Sequence, residues 1–132
     1  MLKNNVTNKF WKLDILVNNA GLYVSEPLKN LKISSYDKTF YLDVRALVNM
    51  TINCLPLILK EQGNIINISS IASEIWHTKK SMYSGAKGAI DSFTKCWVKK
   101  LAKVRFNVIS PGAIETDIWN KTNIPKDLFR EI

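Results

Sequence analysis

The sequence predicts an α/β fold built on a parallel sheet, because short apolar runs alternate with long helical patterns. Three runs rich in β-branched residues, 13–17, 64–68 and 105–109, have the composition of strands that are buried on both faces of such a sheet. Two segments with helical spacing of apolar residues, about 35–60 and 81–103, separate these runs. The order strand, helix, strand, helix, strand predicts right-handed crossovers between parallel strands.

The first helix has predicted start and stop signals. Ser34 or Ser35 can cap its N-terminus, since a hydroxyl there accepts a bond from an otherwise unpaired backbone N–H. Pro56 is predicted to kink or end the helix, and Gly63 marks the exit towards the second strand. The strand 13–17 becomes an apolar edge of the sheet, a type of edge that promotes aggregation.

The second helix follows a polar loop, and Ser81 is its predicted N-cap. Gly85 lies in its interior, where glycine costs roughly 1 kcal/mol, so we expect the backbone there to approach a cofactor or a neighbouring helix closely. Apolar residues recur with helical spacing and define the predicted buried face: Ala86, Ala89, Ile90, Phe93, Trp97 and Leu101.

The composition predicts one globular domain, because the chain has 132 residues of which 46% are hydrophobic. The net charge of +8 is carried mostly by lysine. Lys95, Lys99 and Lys103 are spaced as a solvated helical stripe, without the interleaved aromatic and arginine residues of a nucleic-acid site. We therefore expect neither a nucleic-acid partner nor a membrane partner.

The cysteines and the hydropathy pattern predict a cytoplasmic protein. Cys54 and Cys96 form no Cys-x-x-Cys motif, and free thiols suit a reducing compartment. No apolar stretch is expected to approach transmembrane length, and no N-terminal signal peptide is recognised. No cluster of histidine, cysteine or carboxylate side chains has metal-ligand spacing, so we expect no metal site.

Tyr83 and Lys87 carry the main chemical signal. Four residues apart on a helix, they lie on one face, and an ammonium beside a phenol is expected to lower the phenol pKa. A tyrosine of this kind can act as a general acid or base near neutral pH. Ser70 ends the second predicted strand, and ligands of open α/β sheets bind at the carboxyl ends of strands.

Each of these residues also has a plainer interpretation. Tyr83 and Lys87 can be an ordinary surface pair, and Ser70 can be a hydroxyl that caps a loop. A hydrolase triad of Ser70, His77 and an aspartate is disfavoured, because no Gly-x-Ser-x-Gly sequence surrounds Ser70. His77 is expected at the rim of a substrate loop.

Taken together, the motifs resemble the short-chain dehydrogenase/reductase family in its classical branch. The resemblance rests on Asn18-Asn19-Ala20-Gly21 after a strand, Ser70, Tyr83-x-x-x-Lys87, and Ser110-Pro111-Gly112 with Thr116 beyond. It implies a single Rossmann-type domain over 1–132, a doubly wound parallel sheet of which the chain holds the central and catalytic part. The glycine-rich dinucleotide loop that should precede Met1, and a final strand, are absent. The chain is therefore expected to be incomplete and inactive alone.

The resemblance also implies an activity, reversible hydride transfer between NAD or NADP, with NADP favoured, and a carbonyl or alcohol. Substrates like those of 3-oxoacyl-acyl-carrier-protein reductases or ketone and alcohol dehydrogenases are implied. Tyr83 would exchange the proton, Ser70 would bond the substrate oxygen, and Lys87 would hold the nicotinamide ribose. Helices 35–60 and 81–103 would form a homodimer or homotetramer. The implied cofactor-binding residues are Asn18, Ala20, Gly21, Tyr83, Lys87, Pro111, Gly112 and Thr116.

Asp43 departs from the family pattern, which has an asparagine at this position of the catalytic set. A carboxylate there is expected to stabilise the Lys87 ammonium and to disfavour the Tyr83 phenolate. This departure, with the absent phosphate loop, favours an alternative function as a catalytically dead scaffold or interaction module. The presence of Ser70, Tyr83 and Lys87 together favours the enzyme.

Overall fold

The fold is a three-stranded parallel sheet with helices between the strands. The computed structural model describes residues 8–75 and 78–114. The strands are β1 (Ile15–Asn18), β2 (Asn64–Ile68) and β3 (Arg105–Ile109), and both neighbouring pairs are parallel in the order β1-β2-β3. The predicted Rossmann-type α/β architecture is confirmed. The predicted bounds of β2 and β3 are those of the structure, whereas β1 begins two residues later than predicted.

The register of the sheet places its core on one face. Leu16, Ile65 and Phe106 are aligned across the three strands and are all buried. On the opposite face of β1, the side chains of Ile15 and Val17 are 54% and 53% exposed. The prediction of burial on both faces is therefore wrong for this outer strand. The core cluster comprises Leu16, Cys54, Ile58, Ile65, Val104 and Phe106.

Helix α1 (Ile33–Lys60) is continuous but not uniform, because Phe40–Arg45 forms a π-helical segment between two α-helical stretches. Neither predicted serine caps it, since the N-cap residue is Lys32 and no side chain bonds there. Pro56 does not end the helix either. Its neighbours in the helix, Cys54 and Ile58, are buried in the core, and this packing holds the last turn in place.

The exit of α1 is a Schellman motif. The N–H of Gln62 donates to the carbonyl of Leu59 at 3.3 Å, and the N–H of Gly63 donates to the carbonyl of Ile58 at 2.9 Å. Gln62, with φ of 51°, takes the left-handed conformation that glycine normally supplies. Gly63 thus lies at the predicted exit without being the left-handed residue.

Helix α2 (Ser81–Lys100) ends three residues before the predicted limit, and Lys80 rather than Ser81 is its N-cap residue. Its buried residues are Ala86, Lys87, Ile90 and Thr94. Only Ala86 and Ile90 of the predicted apolar face are fully buried, whereas Trp97 and Leu101 are partly buried against the core cluster. Phe93 remains 37% exposed.

A polar network lies inside this otherwise apolar layer. The side-chain amide of Asn18 donates to Asn67 Oδ1 at 2.8 Å and to Thr51 Oγ1 at 3.1 Å. The amide of Asn67 in turn donates to Thr94 Oγ1 at 2.8 Å. Asn18 therefore ties β1 to β2, as the family resemblance implies, and the network joins both strands to both helices.

Helix α1 also meets the length and composition expected of a membrane span, with a mean hydropathy of 1.4 over its most apolar window. On this criterion the prediction that no apolar stretch approaches transmembrane length is wrong. A core helix of a soluble protein passes the same test, and Leu47, Cys54 and Ile58 of α1 are buried. The composition of α1 is therefore a weak indication of membrane insertion.

Candidate active site

A cavity of about 250 Å³ opens where the three strands end. Ser70 reaches it because it follows β2, and Tyr83 and Lys87 reach it because they lie one turn apart in the first half of α2. The loop after β1 contributes Gly21, and the segment after β3 contributes Pro111 and Gly112. The structure thus brings together at one edge of the sheet residues that the sequence separates by up to 91 positions.

Other predicted site residues lie elsewhere. Asn18 is buried in the network under the helices and Ala20 is exposed, and neither lines the cavity, whereas Asn19 does. The predicted positions of His77 and Thr116 fall outside the described residues. Among residues 8–75 and 78–114, no three His, Cys, Asp or Glu side chains are grouped to hold a metal ion.

The ammonium of Lys87 is fixed by two oxygen atoms. Its Nζ donates to the backbone carbonyl of Ile68 at 2.9 Å and lies 3.7 Å from Oδ2 of Asp43. The residue is only 4% exposed. Nζ is also 5.5 Å from the centroid of the Tyr83 ring, close enough for a cation–π contact.

Asp43 is fully buried and lies in the π-helical segment of α1. Its Oδ1 accepts a bond from the N–H of Leu22 at 2.9 Å, and its Oδ2 has no hydrogen-bond donor in the described structure. A Cβ at Gly21 would lie 3.2 Å from Oδ2, so the glycine leaves room for this close approach. A π-helical turn, common at functional sites, changes the direction in which the carboxylate points.

Burial dominates the electrostatics of the Asp43–Lys87 pair. It raises the pKa of Asp43, and the Leu22 N–H and Lys87 oppose that change. Burial also lowers the pKa of Lys87, and the carboxylate of Asp43 opposes that change. Each charge therefore limits the desolvation cost of the other, as expected for a buried ion pair.

The pKa of Tyr83 is raised, which is opposite to the predicted direction. Burial is the main cause, the Ser70 hydroxyl lowers the pKa in part, and the charges of Asp43 and of the ionisable Tyr23 hydroxyl raise it further. The prediction fails because burial outweighs any effect of the Lys87 ammonium, which is itself engaged by the Ile68 carbonyl and by Asp43. The expected opposition of Asp43 to the phenolate has the predicted sign.

Ser70 also caps a turn, as its plainer interpretation predicted. Its Oγ accepts a bond from the N–H of Ala72 at 3.1 Å and so caps the short 3₁₀ turn Ile71–Ser73. This bond uses a lone pair of the oxygen and not its proton. The hydroxyl can therefore still donate a hydrogen bond to a ligand in the cavity that it lines.

Tyr23 and Lys80 are among the residues of the cavity wall that were not singled out from the sequence. Tyr23 is 6% exposed and packs edge-on against Tyr83, with ring centroids 5.1 Å apart and planes at 70°. Lys80 is 8% exposed and also lines the cavity. Both lie in segments predicted as loops. Tyr23 has no local sequence signal, and the signal for Lys80 is only that it precedes Tyr83 by three residues, about one helical turn.

Gly85 does not have the predicted close contact. A Cβ at this position would meet only Cζ of Phe40, at an ordinary distance of 3.8 Å. The residue is exposed on α2, so the expected close approach to a neighbouring helix is not found within the described part of the chain.

Comparison with known proteins agrees with the fold and with this arrangement. The family model described as short chain dehydrogenase matches residues 2–127. The 3-oxoacyl-[acyl-carrier-protein] reductase FabG of Thermotoga maritima is 31% identical over 119 residues, which are 88% of this chain and 48% of that protein. The chain thus spans about half the length of the curated relatives it matches.

Solved structures show the same relationship. A short-chain dehydrogenase/reductase of unknown function from Caenorhabditis elegans, crystallised with cofactor, superposes with a TM-score of 0.86 at 32% identity, covering 97% of this chain and 50% of that one. ElxO with NADP bound gives a TM-score of 0.85 at 30% identity, covering 91% and 50%. The chain belongs to the short-chain dehydrogenase/reductase family.

Proposed function

We propose that the protein carrying this chain is an NAD(P)-dependent oxidoreductase that interconverts a carbonyl and a hydroxyl group on a small molecule. The observation that carries this proposal is that Ser70, Tyr83 and Lys87 line one cavity at the carboxyl ends of the strands. A proton donor, a second hydroxyl and a fixed ammonium can together protonate a carbonyl oxygen and stabilise the negative charge that develops on it. The relatives include a 3-oxoacyl-[acyl-carrier-protein] reductase, FabG of Thermotoga maritima, which supports a 3-oxo compound as the substrate.

The cavity suits the reactive end of a nicotinamide cofactor. Its volume of about 250 Å³ is below the ~300–1,000 Å³ of pockets that enclose a drug-sized ligand, so it admits a nicotinamide or a small substrate but not a whole dinucleotide. Gly21, Pro111 and Gly112 would border the ring, and Lys87 would reach the adjoining ribose. When bound, the cofactor supplies or accepts the hydride. NADP is favoured, because ElxO, one of the structural relatives, was solved with it.

The residues of the chain handle the proton and the developing charge. Because the pKa of Tyr83 is raised, its phenol is protonated at neutral pH and can donate the proton to a carbonyl oxygen. The Ser70 hydroxyl can donate a hydrogen bond to the same oxygen. Lys87, held by Ile68 and Asp43, places a positive charge beside the phenol as the proton leaves. The resting site at neutral pH therefore holds the proton that carbonyl reduction consumes.

A direct assay tests this function. The native protein is incubated with NADPH or NADH and with a panel of carbonyls that includes an acetoacetyl thioester, simple ketones and aldehydes. We expect nicotinamide absorbance to fall with at least one carbonyl, faster with NADPH than with NADH. Absence of both turnover and cofactor binding would contradict the proposal and favour the scaffold alternative.

Replacing Asp43 with asparagine is expected to speed alcohol oxidation near neutral pH. The carboxylate raises the pKa of Tyr83, so its removal lowers that pKa and makes more of the phenolate base available. The limb of the pH–rate profile that reports Tyr83 should move to lower pH. A move of about one unit would give up to about tenfold more rate below the limb.

The matched control for this variant is Asp37→Asn, which removes a carboxylate from an exposed position of the same helix. Its pH–rate profile should coincide with that of the wild type. A profile of Asp43→Asn that also coincides with the wild type would show that Asp43 does not set the Tyr83 pKa.

We further propose a homodimer or homotetramer that associates through 35–60 and 81–103. Large apolar side chains on the outer faces of α1 and α2 support this assembly, among them Ile52 at 64% and Val98 at 49% exposure. Sedimentation velocity measures the mass directly, and a monomer would contradict the proposal. A cytoplasmic location, without nucleic-acid or membrane partners, is proposed from the solvated lysine stripe and from the free cysteines Cys54 and Cys96.

A further inference from the structure

Lys80 is a buried lysine for which the proposed chemistry has no use. It lies at the N-cap position of α2 and lines the same cavity as Ser70 and Tyr83. Only 8% of its surface is exposed, and its Nζ lies 5.8 Å from the centroid of the Tyr23 ring. Burial lowers its pKa, as expected for an ammonium that has lost water without gaining a counter-ion.

Among the described residues that line the cavity, two are lysines, Lys80 and Lys87, and none carries a carboxylate. The charge of Lys87 is balanced by Asp43 behind it. Lys80 makes no salt bridge with a carboxylate anywhere in residues 8–75 and 78–114. The cavity therefore carries one unbalanced positive charge, and a buried unpaired charge is costly unless a ligand completes it.

We propose that Lys80 binds an anionic group of the substrate and so selects oxo acids over neutral ketones. This inference rests on the proposed function, because it names the class of carbonyl compound that the same cavity reduces. A carboxylate is an anionic group that an isolated ammonium binds strongly through a charge-assisted hydrogen bond, and it is small enough to share the cavity with a carbonyl. The excess of positive charge on the whole chain would also steer anions towards the cavity.

The size of the cavity limits the length of the substrate. Lys80 and Tyr83 are three residues apart at the start of α2, and both line this cavity of about 250 Å³. Tyr23 contacts both, through its ring against Tyr83 and beneath the ammonium of Lys80. A substrate that spans both groups carries its carboxylate within a few bonds of its carbonyl. A 2-oxo or 3-oxo acid has this form, and Ile75 and Ile114 offer apolar wall for its carbon chain.

A purely structural role for Lys80 makes a different prediction. If the ammonium served only to pack on Tyr23, its loss would disturb the cavity for every substrate alike. If it binds the anion, its loss should weaken charged substrates and leave neutral ones of the same shape nearly unchanged. Pairs of oxo acids and their methyl esters separate the two roles, because they share the carbonyl and differ in charge.

The test measures kcat and KM of the native protein with NADPH on acetoacetate and methyl acetoacetate, and on 2-oxobutanoate and its methyl ester. The wild type is expected to prefer the acid of at least one pair. In Lys80→Met, kcat/KM for that acid should fall about tenfold or more, mainly through KM, the size expected for one charge-assisted hydrogen bond. The ester should change little, and Lys80→Arg should keep part of the preference. Lys79→Met, at the exposed neighbouring lysine, is the control and should match the wild type.

Binding without turnover gives a second readout, by calorimetric titration of the same acids into the protein with NADP⁺. Loss of binding in Lys80→Met supports the inference even if no carbonyl is reduced, in which case the proposed function fails alone. Turnover of neutral ketones with no binding of either acid overturns the inference and leaves the function intact. Equal losses for acid and ester also overturn the inference, because they assign Lys80 to packing. A rise confined to the KM for NADPH overturns it as well, because it assigns Lys80 to a phosphate of the cofactor.

Discussion

Tyr83→Phe is expected to lower kcat for carbonyl reduction by about 100- to 10,000-fold, the range attributed to a positioned general acid. The substitution removes only the phenolic hydroxyl, from which the proton would be donated. The ring that packs edge-on against Tyr23 at 5.1 Å remains, so the cavity keeps its shape. Steady-state kinetics with saturating NADPH and the best carbonyl of the panel measure the loss.

Which kinetic constant changes is as informative as the size of the loss in kcat. Lys87 keeps its bonds to Ile68 and Asp43 in this variant, so the KM for the cofactor should change little. Tyr36→Phe is the matched control, since Tyr36 is 39% exposed and stacks on Phe40 away from the cavity wall. It should retain full activity.

Two outcomes would contradict the assignment of Tyr83. A Tyr83→Phe enzyme that keeps more than about a tenth of the wild-type kcat has another proton donor, since loss of a general acid costs at least about 100-fold. If the wild-type protein shows no turnover and Tyr83→Phe leaves the binding of a partner intact, the protein is the catalytically dead scaffold of the alternative hypothesis. Circular dichroism of each variant establishes that the fold is unchanged.

The strands were the most predictable part of the fold. The runs 64–68 and 105–109 are rich in β-branched or aromatic residues and are bounded by residues typical of turns. Both form strands with the predicted bounds. The first strand is shifted because Asn18 belongs to it. A polar side chain at that point looks like the start of a turn, and only the folded structure shows that Asn67 of β2 and Thr51 of α1 form hydrogen bonds with it.

The sequence predicted that Ser70, Tyr83 and Lys87 lie together, but it did not predict the electrostatics around them. Ser70, Tyr83 and Lys87 follow from strand ends and helical spacing, which depend on local sequence. The pKa direction of Tyr83 depends on burial and on which oxygen atoms bind the Lys87 ammonium, and neither is a local property. The π-helical segment around Asp43 has no periodic signal either, because one displaced hydrogen bond leaves the apolar pattern almost unchanged.

Lys80 illustrates the same limit for binding residues. In the sequence it is the second lysine of a polar loop, and such lysines are usually solvated. The structure buries it because the loop after β1 brings Tyr23 beneath its side chain. A contact between segments 57 residues apart cannot be read from either segment alone.

Gly63→Ala is expected to destabilise the folded state by at least about 2–3 kcal/mol, at the upper end of the cost of overpacking. A Cβ at Gly63 would overlap the carbonyl oxygen of Asp14 and lie 3.0 Å from its carbonyl carbon. These are backbone atoms, which cannot rotate away as a side chain would. Domains of this kind have only about 5–15 kcal/mol of stability, so the variant should show a clearly lower thermal and urea midpoint.

The hydrogen bonds around Gly63 explain why the backbone cannot shift to make room. The Asp14 oxygen already accepts the N–H of Asn64 at 2.9 Å, and the Gly63 carbonyl accepts the N–H of Arg105 at 3.1 Å. The Gly63 N–H closes the end of α1 on Ile58. Moving this residue would therefore disturb the starts of all three strands and the helix exit together.

Gly85→Ala is the control, because a Cβ there meets only the edge of Phe40 at 3.8 Å. It should be neutral or should stabilise the fold by up to about 1 kcal/mol, since alanine favours a helix interior. Equal stability of the two variants would show that the backbone at the β1–β2 junction can move to accommodate a methyl group. The expected contrast instead separates a glycine required by tertiary packing from one that only weakens its own helix.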